Sequence, residues 1–330
     1  MKALPFAYRF PAAGSRLASA IKSALQAASL FARPTRIASF GSNPGELGML
    51  VYAPARLRAG RPLVVVLHGC GQNAVSFASE AGWITLAQQY RLALLLPEQA
   101  HANNRGRCFN WFRPHDVQRG SGEAMSIRQM IRSAAKQFSS DPRQIFVVGF
   151  SAGGGMAAAL MAAYPSVFTA GGVFAGMPVG CARTPISAMT RMRRADASRS
   201  RTALAKDVRG LGRARKSWPR LAICQGERDH TVDPENAEVL AAQWSELHGF
   251  GPVPAVDQTA PGLRRRAWGK PNRLPSVDLW TIAQMGHGFP IDPHAPVGGR
   301  AGAWVVDAGL SGAQMMADFW GLKRPGTGSS

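Results

Sequence analysis

The sequence predicts an α/β fold built on a mostly parallel central sheet with helices on both faces. Three observations carry that expectation. Short apolar, β-branched runs alternate along the chain with longer segments of helical periodicity, the order that lays parallel strands side by side through helical crossovers. One such run, Gln144-Ile145-Phe146-Val147-Val148, leads straight into Gly149-Phe150-Ser151-Ala152-Gly153, and an alanine-rich helical stretch from Met156 to Ala163 follows. With 330 residues and 46% apolar content, the chain can bury a substantial core within one large domain.

The elements follow in order. Residues 1–38 read as an N-terminal extension, with Leu17, Ile21, Leu25, Ala28 and Phe31 at the spacing of a short amphipathic helix over 16–32. Leu47–Pro54 and Pro62–Leu67 are the first strands, joined by a turn from Pro54 to Arg61. A helix is predicted from about 79 to 90, then a strand from Leu92 to Leu96. Residues 98–122 form a loop rich in Asn, Arg and Gly, and a loop that long within a compact domain is usually functional or disordered. A helix from about 123 to 138 ends before Asp141-Pro142. After the Ser151 segment come a strand at Ala170–Phe174, an arginine-rich insert over 182–220, a strand at 221–225 and a helix at 234–248. A strand at 277–283 and a helix at 311–320 complete the domain, which spans 39–324 and leaves 325–330 as a flexible tail.

The Gly149–Gly153 segment is a G-x-S-x-G motif in a strand–turn–helix context, which is what a nucleophile elbow requires. The glycines leave room for a strained turn, so Ser151 projects its hydroxyl above the sheet edge. A lone serine hydroxyl is a poor nucleophile near neutral pH and needs a base held by a carboxylate. In the α/β-hydrolase fold these partners follow in the order Ser, Asp or Glu, His. Of seven histidines, His287 ends the strand Val277–Ala283 between Gly286 and Gly288, where such a base belongs. For the acid, Leu221–Gln225 reads as a buried strand running into a tight turn, and Asp229 lies just past its end. Glu227 and Asp233 are rivals in the same loop, and Asp278, inside a strand, is the weaker candidate. One oxyanion-hole N–H comes from the residue after the nucleophile, here Ala152, and the second from the loop after an early strand. That loop is His68-Gly69-Cys70-Gly71-Gln72, with Cys70 the first choice and Gly71 the second. Trp111 and Phe112, in the long loop, are candidates for lining a substrate pocket, although aromatics there can equally pin the loop to the core.

The charge balance is strongly basic, with 39 Lys and Arg against 19 Asp and Glu, a net +20. Twelve of the basic residues lie between Arg183 and Arg220, against only Asp196 and Asp207. Such a surface often serves nucleic acid or an anionic membrane. This keeps open a reading of a different class, a basic polyanion- or membrane-surface-binding protein on a hydrolase scaffold. The cluster has few aromatics and no nucleic-acid motif, so no nucleic-acid partner is expected and the insert reads as a solvated, mobile segment that could cap the site. No run of 18 or more apolar residues exists, so no transmembrane helix is expected. The N-terminus has no apolar segment of signal-peptide length, being interrupted by Arg9, Arg16 and Lys22. Four cysteines are too few for a disulfide scaffold at this length, and no metal-ligand spacing is apparent, so neither metal nor cofactor is expected.

Taken together, several segments resemble the polyhydroxybutyrate depolymerase type of esterase, a family that also contains feruloyl and acetylxylan esterases. They are His68-Gly69-Cys70-Gly71-Gln72-Asn73, Cys108-Phe109-Asn110-Trp111-Phe112, Gly122-Glu123, Gly149–Gly154, Gly180-Cys181-Ala182, Gly226–Val232, Met285–Gly288 and Phe319–Leu322. The resemblance covers about residues 40 to 322. It implies a serine esterase with Ser151, Asp229 and His287 as triad, Cys70 and Ala152 as oxyanion donors, and Gly71, Gln72, Trp111 and Phe112 near the substrate. It implies polyhydroxyalkanoate esters as substrates, with feruloyl or acetyl esters of plant polysaccharide as the alternative. It also implies an extracellular protein, against which the missing signal sequence leaves a cytoplasmic alternative. It sets Cys70 and Cys108 in loops beside one site, within the roughly 4.4–6.8 Å Cα separation of a disulfide, which forms only in an oxidising compartment. Members often carry tryptophan or histidine in the strand before the acid, where this chain has Cys224-Gln225.

Overall fold

A computed structural model describes residues 33–212 and 217–326. The helix expected over 16–32 and most of the tail expected at 325–330 lie outside the described residues.

Strands β1 (Thr35–Ile37), β2 (Gly48–Tyr52) and β3 (Leu63–Leu67) lead into helices α1 (Ala74–Glu80) and α2 (Trp83–Tyr90). Strand β4 (Ala93–Glu98) precedes a one-turn helix α3 (Pro114–Val117) and the long helix α4 (Gly122–Gln137). Then come β5 (Ile145–Phe150), α5 (Ala152–Ala163) and β6 (Ala170–Phe174). The insert contributes α6 (Pro185–Arg193) and α7 (Arg201–Leu211), followed by β7 (Arg220–Gly226) and α8 (Glu235–Leu247). The chain continues through β8 (Val256–Ala260), β9 (Leu263–Trp268), β10 (Val277–Ile282), β11 (Phe289–Ile291), β12 (Val305–Asp307) and α9 (Gly312–Trp320).

Ten strands form one sheet in the order β1-β2-β4-β3-β5-β6-β7-β10-β9-β8. The six from β4 to β10 run parallel, and the two edges are antiparallel. The strands of the parallel centre are buried on both faces, which is why they read as unbroken apolar runs. Their residues still alternate between two cores. Leu63, Val65, Leu67 and Val147 pack with Ile127, Met130, Met156 and Leu160 of α4 and α5. Val64, Val66, Phe146 and Val148 pack with Phe77, Trp83, Leu86 and Trp320 of α1, α2 and α9 on the other side. A fully buried Val or Leu of this kind stabilises the fold by about 1.5–3 kcal/mol. Every residue of α5 is buried, as expected of a helix that is apolar all round.

Three expectations change. Residues 35–37, assigned to the N-terminal extension, form an edge strand paired with β2. The helix expected over 79–90 is two helices, because the chain turns at Gly82 with φ +79° between Glu80 and Trp83. The insert, expected as a solvated, mobile segment, forms two capped helices over its described part. Thr184 closes a reciprocal capping box at the start of α6, and the Ser200 hydroxyl caps α7 by accepting from Ala203 N–H. Arg201 of α7 donates to Ser245 Oγ and the Phe250 carbonyl, each at 2.8 Å, which fastens the insert to α8 and the turn beyond it.

The register places the site. Leu67 is opposite Gly149, Phe150 opposite Phe174, and Gly226 opposite Ile282, so β3, β5, β7 and β10 all end at one edge. The loops leaving them carry Cys70, Ser151, Asp229 and His287, and in open α/β sheets such carboxyl-end loops form the ligand crevice.

Candidate active site

Ser151 stands at the tip of β5 with φ +55° and ψ −119°, a conformation that L residues seldom adopt. The surroundings hold it there. Its N–H donates to the Phe174 carbonyl at 2.8 Å, and its carbonyl accepts from Gly155 N–H at 3.0 Å as α5 begins. The turn is possible because its glycines approach other backbone closely. A Cβ on Gly149 would lie 2.0 Å from the Gly153 carbonyl oxygen, and one on Gly153 would lie 2.4 Å from that of Leu67.

Ser151 Oγ lies 3.1 Å from His287 Nε2, and His287 Nδ1 lies 2.7 Å from Asp229 Oδ2. Asp229 and Ser151 are buried, at 3% and 5% exposure. The two loops that bring aspartate and histidine together meet at Gly226, where an added Cβ would fall 2.4 Å from the Met285 carbonyl oxygen. The Arg228 N–H donates to that same carbonyl at 2.9 Å. Burial alone would raise the Asp229 carboxyl. Its hydrogen bond and charge interaction with His287, and the N–H groups of Val232 and Thr231, outweigh burial and hold it below the usual carboxylate range. Those two amides bind Oδ1 at 2.8 Å each, which leaves Oδ2 for the imidazole.

The rival acids are occupied otherwise. Asp233 accepts from the Ala195 N–H at 2.9 Å and from Glu235 N–H at 3.1 Å, so it ties the insert to the start of α8. Asp278 is paired with Arg265 at 2.9 Å, inside the sheet. Glu227 is exposed.

Ala152 is the first residue of α5, so its N–H has no partner within the helix. In the loop after β3, the Gly71 N–H donates to the Gly106 carbonyl at 2.8 Å. Gln72 Oε1 accepts from Gly69 N–H at 2.8 Å and braces the same loop. Cys70 is disulfide-bonded to Cys108, as expected, with Cα atoms 4.3 Å apart, just below the expected range. Trp111 is buried rather than exposed, and its ring covers the start of α5 beside Gly155. Trp111 and Phe112 line a cavity of about 610 Å³ with Arg183, Arg199 and Lys206 of the insert, and neither Ser151 nor His287 borders it.

Two neighbours were not among the expected site residues. The Trp304 ring meets the His287 ring edge-on at 5.8 Å and is 40% exposed. Gln225 is buried and donates through Nε2 to Asp229 Oδ2 at 3.0 Å. The departure at Cys224-Gln225 therefore puts a hydrogen-bond donor on the acid. Among the described residues no helix is long and apolar enough to cross a membrane, and no cluster of His, Cys, Asp and Glu is of a kind to hold a metal ion.

A mostly parallel sheet with a serine at the strand–helix elbow and a histidine and aspartate in line behind it is the arrangement of the α/β-hydrolase fold. Comparison with known proteins agrees. The family model described as Esterase PHB depolymerase matches residues 47–267, more than half of the chain, and the chain belongs to that family. It is 35% identical over 291 residues to poly(3-hydroxyalkanoate) depolymerase C of Paucimonas lemoignei, covering 87% of this chain and 70% of that protein. It is 30% identical over 268 residues to an acetylxylan esterase of Coprinopsis cinerea, covering 78% and 69% of the two chains. Among solved structures, the acetyl xylan esterase from Aspergillus awamori superposes with a TM-score of 0.74 over 88% of this chain and 99% of that one. At 20% identity, that likeness bears on the fold alone. The protein is a carboxylic ester hydrolase of this family.

Proposed function

We propose that this esterase cleaves polyhydroxyalkanoate-type esters through an acyl-enzyme on Ser151. The observation that carries this reading is the line of contacts from Ser151 Oγ to His287 Nε2 at 3.1 Å and from His287 Nδ1 to Asp229 Oδ2 at 2.7 Å. Ser151 Oγ attacks the ester carbonyl carbon while its proton passes to His287 Nε2. Asp229 holds the Nδ1–H tautomer and stabilises the imidazolium. The carbonyl electron pair moves onto oxygen, where the Cys70 and Ala152 N–H groups receive it. The Gly71 N–H is engaged by Gly106, which favours Cys70 as the donor from that loop. On collapse, the C–O bond to the alcohol breaks and His287 returns its proton to the leaving oxygen. A water then gives a proton to His287 and attacks the acyl carbon, and Ser151 leaves with that proton.

The polyester substrate is favoured by the 35% identity to a polyhydroxyalkanoate depolymerase, against 30% and 29% for the acetylxylan and feruloyl esterases. Hydrolysis of acetyl or feruloyl esters is the second reading, supported by those two relatives. The Cys70–Cys108 disulfide supports an oxidising, extracellular location. Trp111, Phe112, Gly71 and Gln72 shape the surroundings of the site rather than reach the reacting atoms. The insert flanks the acid loop and caps access to the site.

An ester panel tests the substrate: p-nitrophenyl acetate to octanoate, methyl ferulate, acetylated xylan and a hydroxybutyrate oligomer, with Ser151→Ala as the blank. We expect the highest kcat/KM on the oligomer. A higher value on methyl ferulate or acetylated xylan would overturn the polyester assignment.

A further inference from the structure

Two of the family-like segments, Cys108–Phe112 and Gly122-Glu123, have no role in the chemistry proposed above, and a third, Gly69–Asn73, enters it only through the Cys70 N–H. The structure joins the first two at the Glu123 carboxyl and ties the third to them through Cys108 and Gly106. Glu123 opens α4 and is fully buried. Its Oε1 accepts from Gln99 Nε2 at 2.6 Å, Asn110 Nδ2 at 2.7 Å and Asn103 Nδ2 at 3.3 Å. Its Oε2 accepts from the Asn110 N–H at 2.9 Å. The loop so gathered is braced again within itself. Asn104 Oδ1 accepts from Gly106 N–H at 2.9 Å and Cys108 N–H at 3.3 Å, and Asn104 Nδ2 donates to Asn110 Oδ1 at 3.0 Å. Gln99 Nε2 also donates to the Cys108 carbonyl at 3.0 Å.

That loop grips the segment after β3 at two consecutive residues. Cys108 is bonded to Cys70, and the Gly106 carbonyl takes the Gly71 N–H at 2.8 Å. The segment is held from its other side through His68, whose Nε2 accepts from the Gln99 N–H at 3.2 Å. The backbone around Cys70 is thus fixed from outside its own segment, by groups whose common anchor is Glu123.

We infer that Glu123 is a positioning residue for the oxyanion hole: it fixes the 99–110 loop, which in turn aims the Cys70 N–H through the disulfide and the Gly106–Gly71 bond. The inference rests on the proposed oxyanion role of Cys70. Oxyanion donors are effective only when preorganised, and removing one outright typically costs about 10²–10³ in kcat. Misaiming one should cost less, on the order of tenfold to a hundredfold. A buried carboxylate that merely stabilised the fold would lower the melting temperature without that signature.

The test compares wild type, Glu123→Ala, Glu123→Gln and the double variant Cys70→Ser/Cys108→Ser. Three quantities are read: kcat and KM on p-nitrophenyl acetate, the inhibition constant of an alkyl trifluoromethyl ketone, and the melting temperature. The ketone forms a hemiketal on the serine whose oxyanion occupies the hole. We expect Glu123→Ala to lower kcat and weaken the ketone by the same factor, with KM within about twofold. Glu123→Gln, which keeps the shape and an acceptor for Gln99 and Asn110 Nδ2 but sets an NH2 against the Asn110 N–H, should recover part of both, and the cysteine double variant should resemble Glu123→Ala. If Glu123→Ala does not fold, Asn110→Ala, which removes the 2.7 Å donor to Glu123 Oε1, takes its place, and kcat and a ketone constant left at their wild-type values would contradict the shared path. If the cysteine variant weakens the ketone and Glu123→Ala does not, Glu123 has no positioning role while Cys70 keeps its own. If neither weakens it, neither Glu123 nor the disulfide aims the residue-70 N–H and the inference falls, while the donor role of that N–H, which every variant keeps, is judged separately by the activity itself.

Discussion

Gln225 Nε2 and His287 Nδ1 converge on a single oxygen of Asp229, at 3.0 and 2.7 Å. Gln225 thereby fixes the carboxylate that fixes the imidazole. A hydrogen bond to a charged group contributes about 1.5–3 kcal/mol, so Gln225→Leu should lower kcat/KM on p-nitrophenyl acetate by about tenfold or somewhat more. Thermal stability should change less than for a typical buried polar-to-apolar loss, because the same change removes Gln225 Oε1, a buried atom with no partner among the described residues. Unchanged kcat/KM would mean that the amide supports only the turn.

Asp229 and Asp233, four residues apart in the sequence and rivals there, should separate cleanly in kinetics. Asp229→Asn should cost on the order of 10⁴ in kcat, as for other triad acids. Asp233→Asn should leave kcat on a small ester within a few-fold and instead loosen the insert, seen as faster proteolysis near Ala195. The reverse pattern would reassign the acid.

The sheet centre and the Ser151, Asp229 and His287 trio were legible in the sequence because parallel strands are continuous apolar runs and the elbow is local. The β8–β9 hairpin was not. Arg264, Arg265 and Arg266 stand in consecutive positions of β9 and look like a solvated loop, yet their charges are met by Asp257, Asp278 and Glu238. Those partners lie on three other elements, so pairing that makes the strand possible has no local signal. Glu123 was legible as a motif but not as an anchor, since its ligands come from the loop before it. Trp304 beside His287 left no pattern at all, being brought there by β11 and β12.

The four insert arginines Arg193, Arg194, Arg199 and Arg201, alike in sequence, should not behave alike. Arg199 is paired with Asp207 at 2.6 Å and Arg201 binds two carbonyls beyond α8, so both hold the insert together. Arg193 and Arg194 are exposed. Arg193→Ser/Arg194→Ser should change activity on a polymeric or anionic ester and its salt dependence, with p-nitrophenyl acetate hydrolysis barely moved. Equal loss on both substrates would make the insert part of the catalytic framework instead of a cap.

Glu123 should also shape stability against pH. Burial, reinforced by the neighbouring Asp116 carboxylate, pushes its carboxyl from an ordinary 4.5 up to about 8. Between those values the folded protein keeps a proton that the unfolded chain releases, so this group's contribution is full below about pH 4.5 and is lost as pH rises through about 8. Glu123→Gln cannot titrate, while Asp116 remains in both proteins. The melting temperature of wild type should therefore fall more steeply from pH 5 to pH 9 than that of Glu123→Gln. Parallel profiles would show that Glu123 is ionised throughout.

The most direct measurement of the central claim is covalent mapping of the nucleophile. The protein is treated with one equivalent of a p-nitrophenyl alkylphosphonate, residual activity is followed on p-nitrophenyl acetate, and the labelled peptide is sequenced by mass spectrometry. The account predicts one phosphonyl group per chain, carried by Ser151, with activity lost in proportion to labelling and no labelling in His287→Ala. Labelling at another residue, or full activity in a protein fully modified at Ser151, would contradict it.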